Sequence, residues 1–129
     1  LSPECGALGG QAQFVGGFRG AALEGRSGMM QPIPAEVFGI AEANRPWVDR
    51  RCVPQALATF EMPILLSGDH AKVARRLYIL ADNWEPSPFR YFAGQVQGQP
   101  GWRVAKLPCG HDVMVDMPAE LAAELMTLA

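Results

Sequence analysis

Cysteine is scarce in this chain. Cys5, Cys52 and Cys109 form an odd, widely spread set with no Cys-x-x-Cys pair, so neither a disulfide framework nor a zinc knuckle is indicated, and the three read as free thiols. Charge of one sign is also lacking: 13 acidic residues stand against 11 basic ones, with no long run of either. That balance offers no electrostatic footprint for nucleic acid or an anionic membrane. Long apolar runs are missing too. Windows such as Met62 to Leu66 fall far short of the ~20 residues that cross a bilayer, and no n-region, h-region and cleavage site opens the chain at Leu1. The expectation is a soluble, cytoplasmic protein with neither nucleic acid nor membrane as partner. At 129 residues it is sized for one domain with a modest core, burying ~65 to 70% of its unfolded surface.

The punctuation divides the chain into three stretches. Residues 1–32 carry Gly6, Gly9, Gly10, Gly16, Gly17, Gly20, Gly25 and Gly28, a density that weakens helix and strand interiors, so this segment is expected to be weakly ordered. Gly16-Gly17-Phe18-Arg19-Gly20 has neither a preceding strand nor the spacing of a phosphate cradle, and it reads as loop. No cofactor is expected. Residues 33–66 hold short helical segments broken by prolines. Pro34 can start one through Phe38, Asn44 can cap another through Arg51, and a third turn runs from Gln55 to Phe60. With Phe38, Trp47 and Phe60 isolated among them, they suit either a small helical cap over a pocket or surface helices packing their own aromatics.

Residues 67–129 are more regular. Leu77-Tyr78-Ile79-Leu80-Ala81 is a continuous apolar run of the kind buried on both faces in a parallel sheet. Phe89, Phe92, Ala93 and Val96 recur at helical spacing within Pro88 to Val96. Trp102 to Leu107 alternates as a strand does. A tail from Pro118 puts Leu121, Leu125 and Leu128 on one stripe, with Glu120 and Glu124 off it. Strand, helix, strand, helix is the end of an α/β sheet, with a right-handed crossover between parallel strands.

In open parallel sheets, groups that act on ligands cluster beyond the carboxyl ends of the strands. Asp82 stands just after the first strand, and His111 lies on the Pro108-Cys109-Gly110-His111-Asp112 loop after the second. Side by side, these strands would bring carboxylate and imidazole together. A carboxylate on one ring nitrogen fixes the tautomer, and the other nitrogen can then take a proton from a nucleophile. Glu85 is a rival for the acid. Asp112, adjacent in sequence to His111, is not expected to orient it easily. His111 has a bland reading as a backbone-bonding loop histidine, and Asp82 as a strand-end turn former. Cys109 sits two residues from His111 on one loop, so it reads as a packed cysteine rather than a nucleophile. A metal site from His70, Cys109, His111 and Asp112 has no recognisable ligand spacing.

Tyr78-Ile79-Leu80-Ala81-Asp82, Ser87-Pro88-Phe89, Leu107-Pro108-Cys109-Gly110-His111-Asp112 and Met117-Pro118-Ala119-Glu120-Leu121 resemble the α/β-hydrolase superfamily, most of all small-cap esterases of the kind that includes plant methyl-ester hydrolases and hydroxynitrile lyases. The resemblance runs from about Pro34 to the C-terminus. It implies the C-terminal part of a hydrolase sheet with a small helical cap, acting on a small carboxylic ester, with His111 as general base and then general acid and Asp82 as the acid of the triad.

The nucleophile is where the chain departs from that family. Members carry it on a Gly-x-Ser-x-Gly elbow, and no such turn occurs here; Gly25-Arg26-Ser27-Gly28-Met29 has Met29 where the second glycine is needed. The resemblance therefore implies a chain inactive alone, whose partner is an N-terminal half or a second copy covering the sheet edge. The alternative is a non-catalytic α/β module that binds a small apolar ligand or a partner chain through Phe38, Trp47, Phe60 and Trp84.

Overall fold

The computed structural model describes residues 28–129, except Pro86 and the side chains of His70 and Ala71. The glycine-rich expectation for residues 1–32, with Ser27, therefore falls almost wholly outside the described residues. The described residues group into two compact units, one including residues 28–33 and 51–66, the other residues 34–50 and 67–129. Within the second unit, residues 34–50 are tied to the C-terminal stretch by Asn44 and Asp116.

In the first unit, β1 (Met29–Met30) pairs antiparallel with β2 (Gln55–Ala56), and a single helical turn, α1 (Ala58–Glu61), follows. The Leu57 amide donates to the Gly28 carbonyl at 2.9 Å, and Thr59 Oγ1 donates to the Ala56 carbonyl at 2.7 Å. Ile64, Leu65 and Leu66 are exposed.

The second unit is built on β3 (Arg76–Ala81) and β4 (Trp102–Leu107), which run parallel in register from Arg76 opposite Trp102 to Ala81 opposite Leu107. Parallel neighbours cannot be joined by a tight turn, and α2 (Phe89–Val96) lies in the connection. Its face follows the spacing in three of four positions: Ala93 is buried, Phe92 and Val96 are half-buried, and Phe89 is exposed at the first turn. The run in β3 is apolar on both faces, yet only Leu80 is fully buried. Among the described residues this sheet has two strands, so little packs on its outer surfaces.

Two small cores sit at the carboxyl ends of the strands. Leu107, Cys109 and Val113 are buried together, with Ile79, Ala81, Met117 and Leu121 against them. Ala35, Ile40 and Val48 form the other, with Phe38 and Val115 against it. Val48 comes from a short helix, α3 (Arg45–Asp49), and Val115 from another, α4 (Val113–Asp116). The segment from Pro34 to Gly39 is not a helix: the Val37, Phe38 and Gly39 amides donate to carbonyls three residues back, and Gly39 at φ +65° then turns the chain.

Asn44 occupies the cap position of α3 but makes no cap bond with its side chain. Its Nδ2 donates to Asp116 Oδ1 at 2.9 Å instead, while Asp116 Oδ2 accepts the Ala41 amide at 3.0 Å. Asp116 thus fastens residues 34–50 onto the end of α4, a long-range contact that a capping argument does not anticipate. The final helix, α5 (Pro118–Met126), starts with proline at its first turn, where a missing N–H costs nothing. The stripe expected to be its buried face is only partly covered. Leu121 packs on the second core and Leu125 is exposed, whereas Glu124 is drawn in by its ion pair with Arg103. Truncating Asp116 to Ala is expected to destabilise this unit by about 1–2 kcal/mol, the range for losing charge-assisted hydrogen bonds whose donors water can still reach. Urea denaturation checks this, and Asn44→Ala added to Asp116→Ala should cost less than the sum of the two.

Candidate active site

Three loops meet beyond the carboxyl ends of β3 and β4. The loop after β3 is stitched to the loop after β4 in sequence order: the Asp82 amide donates to the Leu107 carbonyl at 2.8 Å and the Asn83 amide to the Cys109 carbonyl at 3.2 Å. Asn83 Nδ2 donates to the Pro108 carbonyl at 2.8 Å. The third loop, the turn at residues 35–39, docks on both. Its Val37 carbonyl accepts the Trp84 indole N–H at 3.0 Å, and its Phe38 carbonyl accepts the His111 amide at 2.8 Å.

Gly110 makes that docking possible. A Cβ placed on it would lie 2.2 Å from the Gly39 carbonyl oxygen and 2.8 Å from that of Phe38, closer than carbon and oxygen can approach. The Gly-His pair singled out in the sequence is thus explained in its first half by backbone packing against the turn. Its second half places an imidazole at the junction of all three loops.

The His111 side chain is about one-third exposed, and its Nδ1 lies 2.8 Å from Asp112 Oδ1. Among the described residues its Nε2 has no hydrogen-bond partner. The sequence-based expectation that Asp112 could not easily orient this ring is corrected here. Consecutive side chains point apart in an extended strand, but at Asp112 (φ −97°, ψ 75°) the chain is turning from loop into α4. Asp112 stands at the N-cap position without capping the helix, and spends its carboxylate on the imidazole.

Asp82 emerges from β3 beside the end of β4, but its carboxylate is ion-paired with Arg90 on the first turn of α2. Arg90 also takes Glu85, whose second oxygen accepts the Ser87 amide at 3.1 Å. The Arg90 guanidinium, with help from the Ser87 amide, holds the Glu85 carboxyl below its ordinary range. Both acids nominated from sequence are therefore gathered by one arginine, while the histidine is met by a third carboxylate. The signal for Arg90 was a cation in the turn that follows two acids; it is readable once α2 is known to fold back over the loop.

Three aromatic rings surround the imidazole: Trp84 edge-on at 4.7 Å between centroids, Phe38 at 5.1 Å and Phe89 at 5.7 Å. Of the four aromatics read from sequence as a docking face, Trp84 is buried and Phe38 is packed against the first core, while Phe60 is half-buried and Trp47 exposed. Cys109 is buried in the second core. Burial pushes its thiol up from an ordinary value of 9.0, with the negative charges of Asp116 and Glu120 adding to the effect. This is the opposite of what an activated thiolate needs. Among the described residues no group of three His, Cys, Asp or Glu side chains is placed to hold a metal ion, and the His70 side chain of the four-residue set considered from sequence lies outside them. No helix among the described residues is long and apolar enough to cross a membrane.

Comparison with known proteins adds one likeness to this geometry. The chain is 64% identical over 117 residues to a carbendazim hydrolyzing esterase from Nocardioides sp. (strain SG-4G), a match covering 91% of this chain and 48% of that enzyme. It thus spans about half the length of the curated relative it matches. This similarity supports an esterase-type hydrolase relationship. No family model and no solved structure matches the chain.

Two outcomes follow from this packing. Gly110→Ala should destabilise the second unit by about 1–3 kcal/mol or more, since the added methyl meets backbone that cannot rotate away; its denaturation midpoint measures this. Exposed Cys52 should alkylate at pH 8 while Cys109 resists until denaturant is added. Because the unfolded chain releases the Cys109 proton first, stability should fall as pH rises above 9.0, less so in Cys109→Ala.

Proposed function

We propose that these residues are the C-terminal part of an α/β hydrolase that cleaves a small carboxylic ester, with His111 as the proton shuttle. One observation carries the reading: at the carboxyl end of a parallel strand pair, His111 Nδ1 is held by a carboxylate while Nε2 has no hydrogen-bond partner among the described residues. The 64% identity to an enzyme named as an esterase supports the same class of reaction.

With Nδ1 carrying the proton donated to a carboxylate, Nε2 presents a lone pair. It can take the proton of a serine hydroxyl as that oxygen attacks the ester carbonyl, and return it to the alkoxide that leaves. In the second half Nε2 takes a proton from water as its oxygen attacks the acyl carbon, and returns that proton to the serine oxygen as the ester bond to serine breaks. The serine and the oxyanion-binding N–H groups come from outside these 129 residues, so the chain alone is proposed to turn over little or no ester.

Two carboxylates compete to support the imidazolium. Asp112 does so in this structure. Asp82 has the position beyond β3 where the family resemblance puts the acid, and we assign it that role in the complete enzyme, where it must exchange Arg90 for His111. Glu85, held by Arg90 and the Ser87 amide, is the weaker candidate.

The reading is tested by hydrolysis of a chromogenic short-chain ester, and then of carbendazim, by this chain alone and mixed with a Ser-bearing N-terminal half. Turnover should appear only in the mixture. His111→Ala should lower it at least about 10²-fold, the usual worth of a positioned general base, and Asp82→Asn should lower it more than Asp112→Asn. Turnover in the mixture that survives His111→Ala would remove the proposal.

A further inference from the structure

Building on the reading of His111 as the shuttle, we propose that Trp84 is a positioning residue for its imidazole, the central member of an aromatic collar that holds Nδ1 toward the carboxylate supporting it, Asp112 in this chain, and keeps Nε2 available. A histidine ring on a loop has a broad, roughly two-fold torsion about its last bond, and a half-turn would exchange Nδ1 with a carbon. One hydrogen bond at 2.8 Å to the partly exposed Asp112 is a weak restraint on that motion. The collar supplies a stronger one.

Trp84 touches every other ring in the group: His111 at 4.7 Å and 82° between planes, Phe89 at 5.8 Å, and Phe38 at 6.1 Å. It is itself fixed. Its indole N–H is bonded to the Val37 carbonyl, and the next carbonyl in the chain, that of Phe38, accepts the His111 amide. The tryptophan ring and the histidine backbone thus hang from consecutive peptide groups of one turn. The spacing between the two rings is set by that turn and not by the loops that carry them. Such restraint matters for proton transfer, which depends on the base staying within hydrogen-bonding reach of the group it serves.

The test needs no turnover, so its result is separate from that of the ester assay: the collar can fail while His111→Ala still abolishes hydrolysis, and the reverse. Nitrogen-15 spectra of the full chain at pH 8, with His70→Gln removing the other histidine, report the His111 tautomer directly. The expected wild-type spectrum has well-separated ring nitrogens, with the proton on Nδ1. Trp84→Leu should bring the two resonances together, because a ring released from Asp112 divides its proton between the Nδ1–H and Nε2–H tautomers, and Trp84→Phe should restore most of the separation. Full separation retained in Trp84→Leu, with the β3 and β4 amide signals unchanged, would overturn the proposal. Should Trp84→Leu lose those amide signals, Phe89→Leu decides, because Phe89 is the exposed ring of the collar: partial convergence supports it, and an unchanged spectrum overturns it.

Discussion

The hydrogen bond from the His111 amide to the Phe38 carbonyl is the contact on which the arrangement of this region depends. It ties a turn near the start of the second unit to a loop more than seventy residues later, and it forms only because Gly110 has no side chain to hold the Gly39 backbone away. The consequences spread outward in order. The turn brings Phe38 against the imidazole and offers the Val37 carbonyl to Trp84; Asp116 then locks the following residues by accepting from Ala41 and Asn44. The two modest clusters of apolar side chains are joined by hydrogen bonds that end on backbone carbonyls or on a carboxylate.

The site separates into an aromatic half and an ionic half. On one side the imidazole lies among Trp84, Phe38 and Phe89 and stays about one-third exposed. On the other, Arg90 gathers Asp82 and Glu85. The loop after β3 serves both halves, since Asp82 and Trp84 are two residues apart and point to different partners. Cys109, buried beneath this loop with a thiol that resists ionisation, contributes packing to the region and no nucleophile.

The strands and the connecting helix were legible in the sequence because each is decided by local periodicity: an apolar run for β3, alternation for β4, and a three-to-four spacing for α2. The segment from Pro34 to Phe38 looked like a helix start because proline favours that position, but Gly39, at a positive φ, ends the turn before a second one can form. Asn44 was placed correctly as a cap position, yet its side chain answers to Asp116, 72 residues away, a partner that no local rule supplies. His111 was readable from its loop after a strand. Its contact with Asp112 was not, because adjacency implies divergence only where the backbone is extended. The exposure of Leu125 and the merely partial burial of most of β3 are likewise a matter of which surfaces find neighbours, and an apolar pattern states the need for a neighbour without saying what it is.

The Arg90 clamp has one implication for how this loop responds to its surroundings. The arginine and both of its acids sit at the water boundary, where mobile ions weaken attraction over a Debye length of about 8 Å at physiological ionic strength, and where ion pairs contribute little to folding. Its grip is therefore a readily reversible one. Rising ionic strength or a competing anion would loosen Asp82 without disturbing the buried tryptophan two residues on, so the carboxylate can change allegiance while the hydrophobic scaffold beneath it stays put.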